Sequence, residues 1–286
     1  IRMSGDKCFE ILKKFFVPKN KNVDIDKVEG YTIKYGYIID SKTKEKIDEV
    51  LVSFFRAPKS YTTENMCEIN SHGGMIVEKK ILEQCLLNGA ELAQPGEFTK
   101  RAFLNGRIDL SQAESVIDII NAKNDKEAKA SFEQLQGRLS KEIEEIRADL
   151  LDIMSDIEAS IDYPEYDIEE TTEEKAMNLL NKEKERLELL EKSFESGKIL
   201  KEGVKTVIVG KPNAGKSSLL NVILNEDRAI VSDYAGTTRD TIEEFVNIDG
   251  VPLKIIDTAG IRKTDDFVEK IGVEKAINLI KDADLI

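Results

Sequence analysis

The residues best suited to chemistry lie in the stretch Gly210-Lys211-Pro212-Asn213-Ala214-Gly215-Lys216-Ser217. Its G-x-x-x-x-G-K-S spacing is that of a loop that wraps the phosphates of a nucleotide. Backbone N–H groups of such a loop converge on an anion, and a following helix N-terminus adds partial positive charge. Gly210 and Gly215 allow backbone conformations and close approaches that a Cβ would block. Lys216 can reach the β- and γ-phosphates, and Ser217 can offer its hydroxyl oxygen to Mg²⁺. Two later clusters fit the same ligand. Gly236-Thr237-Thr238-Arg239-Asp240 is a loop in which a threonine can complete Mg²⁺ coordination and feel the γ-phosphate. In Asp257-Thr258-Ala259-Gly260 the aspartate can hold Mg²⁺ directly or through water, and the Gly260 amide can approach the γ-phosphate.

These groups need a framework to aim them. The apolar run Val207-Ile208-Val209 reads as a strand leading into the glycine loop, and Ser218 to Leu224 as the helix after it. Thr241 to Ile248 and Pro252 to Ile256 form a hairpin pattern around Asp249-Gly250, a strong turn dipeptide. That places Asp257 at a strand's C-terminal end, where open α/β sheets do their ligand chemistry.

Upstream, residues 111 to about 200 read as helical. Ser111 is a plausible N-cap, with Glu114 completing a capping box. Phe132, Leu135, Leu139, Ile143, Ile146, Leu150, Ile153 and Ile157 recur at three- and four-residue steps. They predict one narrow apolar stripe on a single helix ~40 Å long. Met177, Leu180, Leu187, Leu190 and Phe194 offer a second stripe, and Tyr163-Pro164 breaks the chain between them. An antiparallel helix pair follows from that pattern.

Residues 1 to about 105 read as mixed α/β. Lys7 to Phe16 has helical spacing, Tyr31 to Ile39 and Glu49 to Phe55 are strand-like, and Cys67 to Asn70 is a further strand. Ser71-His72-Gly73-Gly74 then leads to a helix from Ile76 to Leu87, closed by Asn88-Gly89. His72 is the only histidine. No partner for it is identifiable in the sequence, so support of a strand end is the plainer role for it than acid–base work.

The bulk numbers narrow the class. The 286 residues favour about two domains. The net charge of −13 argues against a protein that grips nucleic acid over most of its surface. The Glu- and Lys-rich run from Glu165 to Glu202 reads as a solvated helix face. Cys8, Cys67 and Cys85 are widely spaced and lack metal-ligand spacing, so they are expected as reduced core residues. No apolar run approaches the ~20 residues that cross a bilayer, and the expectation is a cytoplasmic protein away from membranes. The chain opens on Ile1 and stops at Asp284-Leu285-Ile286 without the Asn-Lys-x-Asp motif that reads guanine, so a nucleotide domain cut short is expected.

The loops at Gly210, Gly236 and Asp257 resemble the G1, G2 and G3 series of translation-factor-like GTPases. Residue 261 is Ile261, not the glutamine that orients the attacking water in many of them, so hydrolysis needs another group. Asp265, Asp266 and Glu269 are the nearby carboxylates. Further stretches extend the likeness. Ser71-His72-Gly73-Gly74, the run Gln94-Pro95-Gly96-Glu97-Phe98-Thr99-Lys100-Arg101-Ala102-Phe103-Leu104-Asn105-Gly106-Arg107-Ile108-Asp109-Leu110, and Gln112-Ala113-Glu114 stand beside Asp257-Thr258-Ala259-Gly260-Ile261-Arg262. Together they resemble the MnmE (TrmE) family of tRNA-modification GTPases over essentially the whole chain.

The resemblance implies a multidomain protein. It would have an α/β N-terminal folate-binding and dimerisation domain over residues 1–110, an α-helical domain over 111–202, and the first part of a P-loop α/β GTPase domain over 203–286. It implies GTP hydrolysis, and modification of C5 of the wobble uridine of certain tRNAs with a folate one-carbon unit and an MnmG-like flavoprotein partner. Members work as homodimers whose G domains meet, with K⁺ supplying the positive charge that an arginine supplies elsewhere. GTP would be held by Asn213, Ala214, Gly215, Lys216, Ser217 and Ser218, by Ser232, Asp233, Tyr234, Ala235, Gly236, Thr237 and Thr238, and by Asp257, Thr258, Ala259 and Gly260. Ser217 and Thr238 would bind Mg²⁺. Asn213, Ser232, Tyr234 and Thr237 would bind K⁺. Glu269 would orient the water, with Lys216 and Arg239 assisting. Arg2, Glu68 and Arg107 would contact a tetrahydrofolate derivative; some relatives carry lysine in place of Arg107, which keeps the charge but changes its geometry. Two other readings are a ribosome-assembly GTPase of the Era or Der type, and a folate-dependent one-carbon transferase with a regulatory nucleotide domain.

Overall fold

Alternating apolar residues build the first half of the molecule. The computed structural model describes residues 1–162, 169–210, 214–226, 244–248, 251–256, 280–281 and 283–286. Residues 1–113 and 114–286 form two compact units. The first holds Arg2–Ser4 (β1), Cys8–Leu12 (α1), Phe16–Pro18 (β2), Thr32–Ile39 (β3), Lys46–Phe55 (β4), Met66–Asn70 (β5), Met75–Leu87 (α2) and Glu97–Leu104 (α3). Leu110–Asn121 (α4) follows. The strands form one sheet in the order β1-β5-β4-β3-β2, antiparallel throughout. In β4, Val50, Val52 and Phe54 are buried while Glu49 and Leu51 face out. This period of two makes one face of the sheet apolar. That face meets Phe9, Leu12 and Phe15 from the α1 region and Ile81 and Cys85 from α2 in one core. Each fully buried aliphatic or aromatic side chain contributes about 1.5–3 kcal/mol.

The helix expected over Lys7 to Phe16 is shorter, and its end becomes a strand. Phe16 and Val17 pair with Ile38 and Tyr37 of β3, a ladder that suits aromatic and β-branched residues better than a helix turn does. Pro18 is tolerated because β2 is the outermost strand and its ring removes no central hydrogen bond. At Gly36 on β3 a Cβ would collide with the Val17 carbonyl and the Phe16 ring, so this close approach of β2 requires glycine. The helix expected from Ile76 to Leu87 is present as α2, and Gly89 follows its C-cap at φ +110°.

The second unit contains Asp125–Leu135 (α5), Arg138–Asp162 (α6), Glu169–Glu202 (α7), Val204–Thr206 (β6), Lys216–Glu226 (α8), Glu244–Ile248 (β7) and Val251–Ile255 (β8). The single helix expected across residues 132–157 is two, because Gly137 adopts φ +82° between α5 and α6. Of the stripe, only Ile146 and Ile153 are buried. α6 and α7 run antiparallel, as expected. Lys175 pairs with Asp156, Lys182 with Asp149, and Arg186 with Glu145 and Glu142, so positions rise on α7 as they fall on α6. The Tyr163-Pro164 break lies outside the described residues.

Helix starts also differ from expectation. Asp109, not Ser111, caps α4. The Gln112 N–H donates to Asp109 Oδ1 at 2.9 Å, and the Asp109 N–H donates to Gln112 Oε1 at 3.0 Å. This reciprocal pair is a capping box two residues earlier than the one read from Ser111 and Glu114. At α5 a related cap forms: the Glu127 N–H donates to Asn124 Oδ1, while Glu127 Oε2 accepts from the N–H of Lys123, the residue before the cap.

β6, β8 and β7 form a second sheet in that order, with β6 parallel to β8 and β7 antiparallel to it. Ile248 pairs with Val251, so the hairpin expected around Asp249-Gly250 is present, although the turn itself lies outside the described residues. Among the described residues no helix is long and apolar enough to cross a membrane.

Candidate functional site

Two sites are built, one in each unit. In the second unit the loop expected to bind phosphate lies between β6 and α8. The expected strand at Val207-Val209 is displaced to Val204–Thr206, because the ladder with β8 runs from Val204↔Leu253 to Thr206↔Ile255. Val207 is buried, and its N–H donates to the Leu285 carbonyl at 3.0 Å. Gly215 stands at φ +86°, a conformation that L side chains rarely adopt, immediately before α8 begins at Lys216. Gly210 has no such need: a Cβ there would make only ordinary contacts with the Lys216 stem, at 3.6 and 3.7 Å. Lys216 Nζ donates to the Gly210 carbonyl at 2.9 Å. The lysine therefore folds back from the helix N-terminus to the start of the loop.

Ala214, Gly215, Lys216, Ser217 and Ser218 fall within the described residues, the last three in the first turn of α8. Asn213, Ser232, Asp233, Tyr234, Ala235, Gly236, Thr237, Thr238, Arg239, Asp257, Thr258, Ala259, Gly260, Ile261 and Glu269 lie outside them.

The first unit brings Glu68 and Arg107 into the lining of one cleft and pairs Arg2 with Glu68. Arg2 on β1 is the register partner of Glu68 on β5. Arg2 donates from Nε to Glu68 Oε1 at 2.8 Å, and its Nη2 lies 2.6 Å from the same oxygen. Arg107 comes from the segment after α3 and donates from Nη1 to the Tyr61 carbonyl at 3.0 Å. A cleft of about 530 Å³ is lined by Tyr31, Phe55, Tyr61, Glu68, Asn105 and Arg107, among others. It offers a carboxylate, a guanidinium and aromatic walls, a donor set that fits a polar heterocycle bearing carboxylates.

The sequence reading did not single out Tyr61. It lies in the loop Pro58-Lys59-Ser60-Tyr61-Thr62-Thr63, and an aromatic residue among turn formers and hydroxyls was the one available signal. The long signature stretch shapes this loop from the other side. Arg101 bridges Glu97 at 2.8 Å and Glu64 at 3.2 Å. The Gln94 N–H donates to Glu97 Oε2, and with Arg101 it holds the Glu97 carboxyl below the usual glutamate range. Asn105 Nδ2 donates to the Thr62 carbonyl at 2.7 Å.

His72 has the partner that the sequence did not reveal. Its Nδ1 lies 2.9 Å from Asp48 Oδ1, and its N–H donates to Asp48 Oδ2 at 2.9 Å. The Asp48 hydrogen bond raises the imidazole pKa above its ordinary value. Burial pushes the Asp48 carboxyl up, but the backbone N–H and ring of His72 bring it below the usual range. The pair ties the end of β5 to β4, in keeping with a supporting role. Cys8, Cys67 and Cys85 are buried free thiols, and Cys8 Sγ donates to Cys67 Sγ at 3.5 Å. Among the described residues no cluster of His, Cys, Asp and Glu could hold a metal ion.

Both regions match known families. The family described as GTP-binding protein TrmE N-terminus matches residues 1–107, and the MnmE helical domain matches residues 110–283. A protein of Acetivibrio thermocellus named tRNA modification GTPase MnmE is 54% identical over 286 residues, covering 100% of this chain and 62% of its own length. Proteins of the same name from Levilactobacillus brevis and Bacillus licheniformis are 53% and 50% identical, again over 100% of this chain and 61% and 62% of theirs. The chain thus spans about three fifths of the length of the curated relatives it matches.

Proposed function

This chain belongs to the MnmE (TrmE) family, and from that premise we propose that it is the N-terminal, helical and phosphate-binding part of a GTPase of tRNA modification. The observation that carries this reading is the loop in which Gly215 takes the left-handed conformation and Lys216 folds back onto Gly210. Phosphate oxygens of GTP replace the Gly210 carbonyl as acceptors of the Lys216 ammonium, beside the N–H groups that open α8. We divide the chain by task into residues 1–110 for folate binding and dimerisation, 111–202 for the helical arm, and 203–286 for the nucleotide.

Ser217 and Thr238 are the hydroxyl ligands for Mg²⁺, a hard cation that takes oxygen donors. The Asn213 side chain and oxygens of Ser232, Tyr234 and Thr237 suit K⁺ by the same logic. The ion supplies positive charge to the phosphates where no arginine does. Glu269 orients the water that Ile261 cannot, and Arg239 steadies the switch loop. Arg2, Glu68 and Arg107 hold the reduced folate that brings the one-carbon unit. An MnmG-like flavoprotein acts with the protein on C5 of the wobble uridine, in the cytoplasm. The TrmE match over residues 1–107 weighs against a ribosome-assembly GTPase of the Era or Der type.

The outer face of the first sheet supports a homodimer. Pairing runs Arg2↔Glu68↔Ser53↔Ile33, so the cleft's ion pair shares a face with Ile33, and Tyr35 and Leu51 pair beside it. Ile33, Tyr35 and Leu51 are all exposed there. Such an apolar face is what a second copy would cover.

The test is GTP turnover, measured on the full-length protein, in KCl and in NaCl. Turnover faster by about tenfold or more in K⁺ is expected, since charge at this position elsewhere is worth ~10³–10⁵ in rate. A Glu269→Ala variant in the same assay should bind GTP without turning it over. Equal rates in the two salts, or unchanged turnover in the variant, would remove the assigned roles.

A further inference from the structure

Two guanidiniums stand beside one ring in the cleft of the first unit. Arg2 Cζ lies 5.6 Å and Arg107 Cζ 4.8 Å from the centre of the Tyr61 ring. Like charges gathered in one cleft repel each other. Glu68 offsets Arg2, whereas no carboxylate among the described residues forms an ion pair with Arg107. The negative face of an aromatic ring attracts a cation within about 6 Å, so Tyr61 compensates both. Its carbonyl also accepts from Arg107 Nη1, which takes one of the five N–H donors of that guanidinium. The remaining donors keep the planar fork that binds a carboxylate through two parallel hydrogen bonds.

Tyr61 is itself held. Its hydroxyl lies 2.9 Å from Thr99 Oγ1 on α3. Phe98, the neighbour of Thr99, places its ring 5.5 Å from Arg2 Cζ. Asn105 anchors the next residue of the loop through the Thr62 carbonyl, and the Thr62 hydroxyl lies 2.5 Å from Ser4 Oγ on β1. The order of support thus runs from α3 to the ring and from the ring to the two arginines.

We propose that Tyr61 is a positioning residue of this cleft: Thr99 sets the ring, and the ring sets where Arg2 and Arg107 stand to receive the carboxylates of a reduced folate. The inference rests on the folate reading of the cleft given above. It also gives a task to Phe98 and Thr99, which act on the ligand through Arg2 and Tyr61 without touching it.

Tetrahydrofolate binding to the 286-residue chain, measured by equilibrium dialysis beside thermal midpoints, tests it. Tyr61→Phe keeps the ring and loses the hydroxyl, and is expected to weaken binding about threefold, the scale of one neutral hydrogen bond. Tyr61→Leu removes both ring contacts and should weaken it about tenfold or more. Thr99→Val should match Tyr61→Phe, and the double variant should bind no more weakly than either single one, because both changes break the same bond. A Tyr61→Leu chain that binds like the unaltered one overturns the proposal. So does a Tyr61→Phe chain as weak as Tyr61→Leu while Thr99→Val is unaffected. If Tyr61→Leu fails to fold, the Tyr61→Phe and Thr99→Val pair decides, and additive losses overturn the proposal. Failure of the unaltered chain to bind tetrahydrofolate would instead remove the folate reading itself.

Discussion

The carboxylate of Asp48, 2.9 Å from the only histidine, decides how that histidine answers to pH. The folded state favours the protonated imidazole, since the His72 pKa is raised. Its stabilisation is therefore complete below the ordinary histidine value of ~6.5 and is lost as pH rises through the higher folded value. Asp48, held low, acts in the opposite sense: its contribution is present above the ordinary carboxylate range and is lost as pH falls through the folded value. The pair is thus strongest in the mildly acidic window between them. His72→Asn should flatten the change of thermal midpoint between about pH 6 and pH 8, the range around the ordinary imidazole value. An identical pH profile in the variant would remove the linkage. At this scale the sequence was uneven. The left-handed turn at Gly215 and the helix start at Lys216 were legible because the G-x-x-x-x-G-K-S spacing marks both. Asp48 and Tyr61 were not, because each meets its partner across a fold that no local pattern encodes: 24 positions separate Asp48 from His72, and 46 separate Tyr61 from Arg107.

Among the elements, periodicity gave the presence and pairing of helices but not their boundaries. The stripe from Phe132 to Ile157 continues in step through Gly137, so spacing alone reads one helix where there are two. Backbone conformation overrides it, because φ +82° at Gly137 lies outside the helical region. Gly137→Ala separates the two readings by sign. In the observed break, alanine must enter the left-handed region and should cost about 1 kcal/mol. In a continuous helix the same change would stabilise by about 1 kcal/mol, since alanine exceeds glycine in helix propensity. Urea unfolding of the variant measures which holds, and stabilisation would sink the break. The antiparallel α6–α7 pair was legible from two stripes and the Tyr163-Pro164 interruption. The starts of α4 and α5 were misread or missed, because Asp109 and Asn124 compete for the cap with neighbours of similar chemistry and only the hydrogen bonds choose.

At the scale of the whole molecule, the two units keep separate cores. One gathers Leu12, Phe15, Ile38, Val52, Phe54, Ile69 and Ile81; the other gathers Leu220, Val246 and Ile255. Every residue of the larger core comes from within residues 1–113, so that segment should unfold cooperatively as an isolated fragment. A broad, non-cooperative melt of the fragment would show that it depends on the rest of the chain. The chain has no tryptophan, but its three thiols supply another reporter. Cys8, Cys67 and Cys85 are buried together in that larger core. The hydrogen bond from Cys8 and burial push the Cys67 thiol far above its ordinary pKa, and burial takes Cys85 up to about 11. Such thiols react with an alkylating probe only when the core opens. The alkylation rate of the untouched protein is therefore a clock for breathing of the N-terminal core, and the three cysteines should keep the same time. A cleft ligand that slows this clock would be tightening the core from outside, with no residue of the chain replaced to report it.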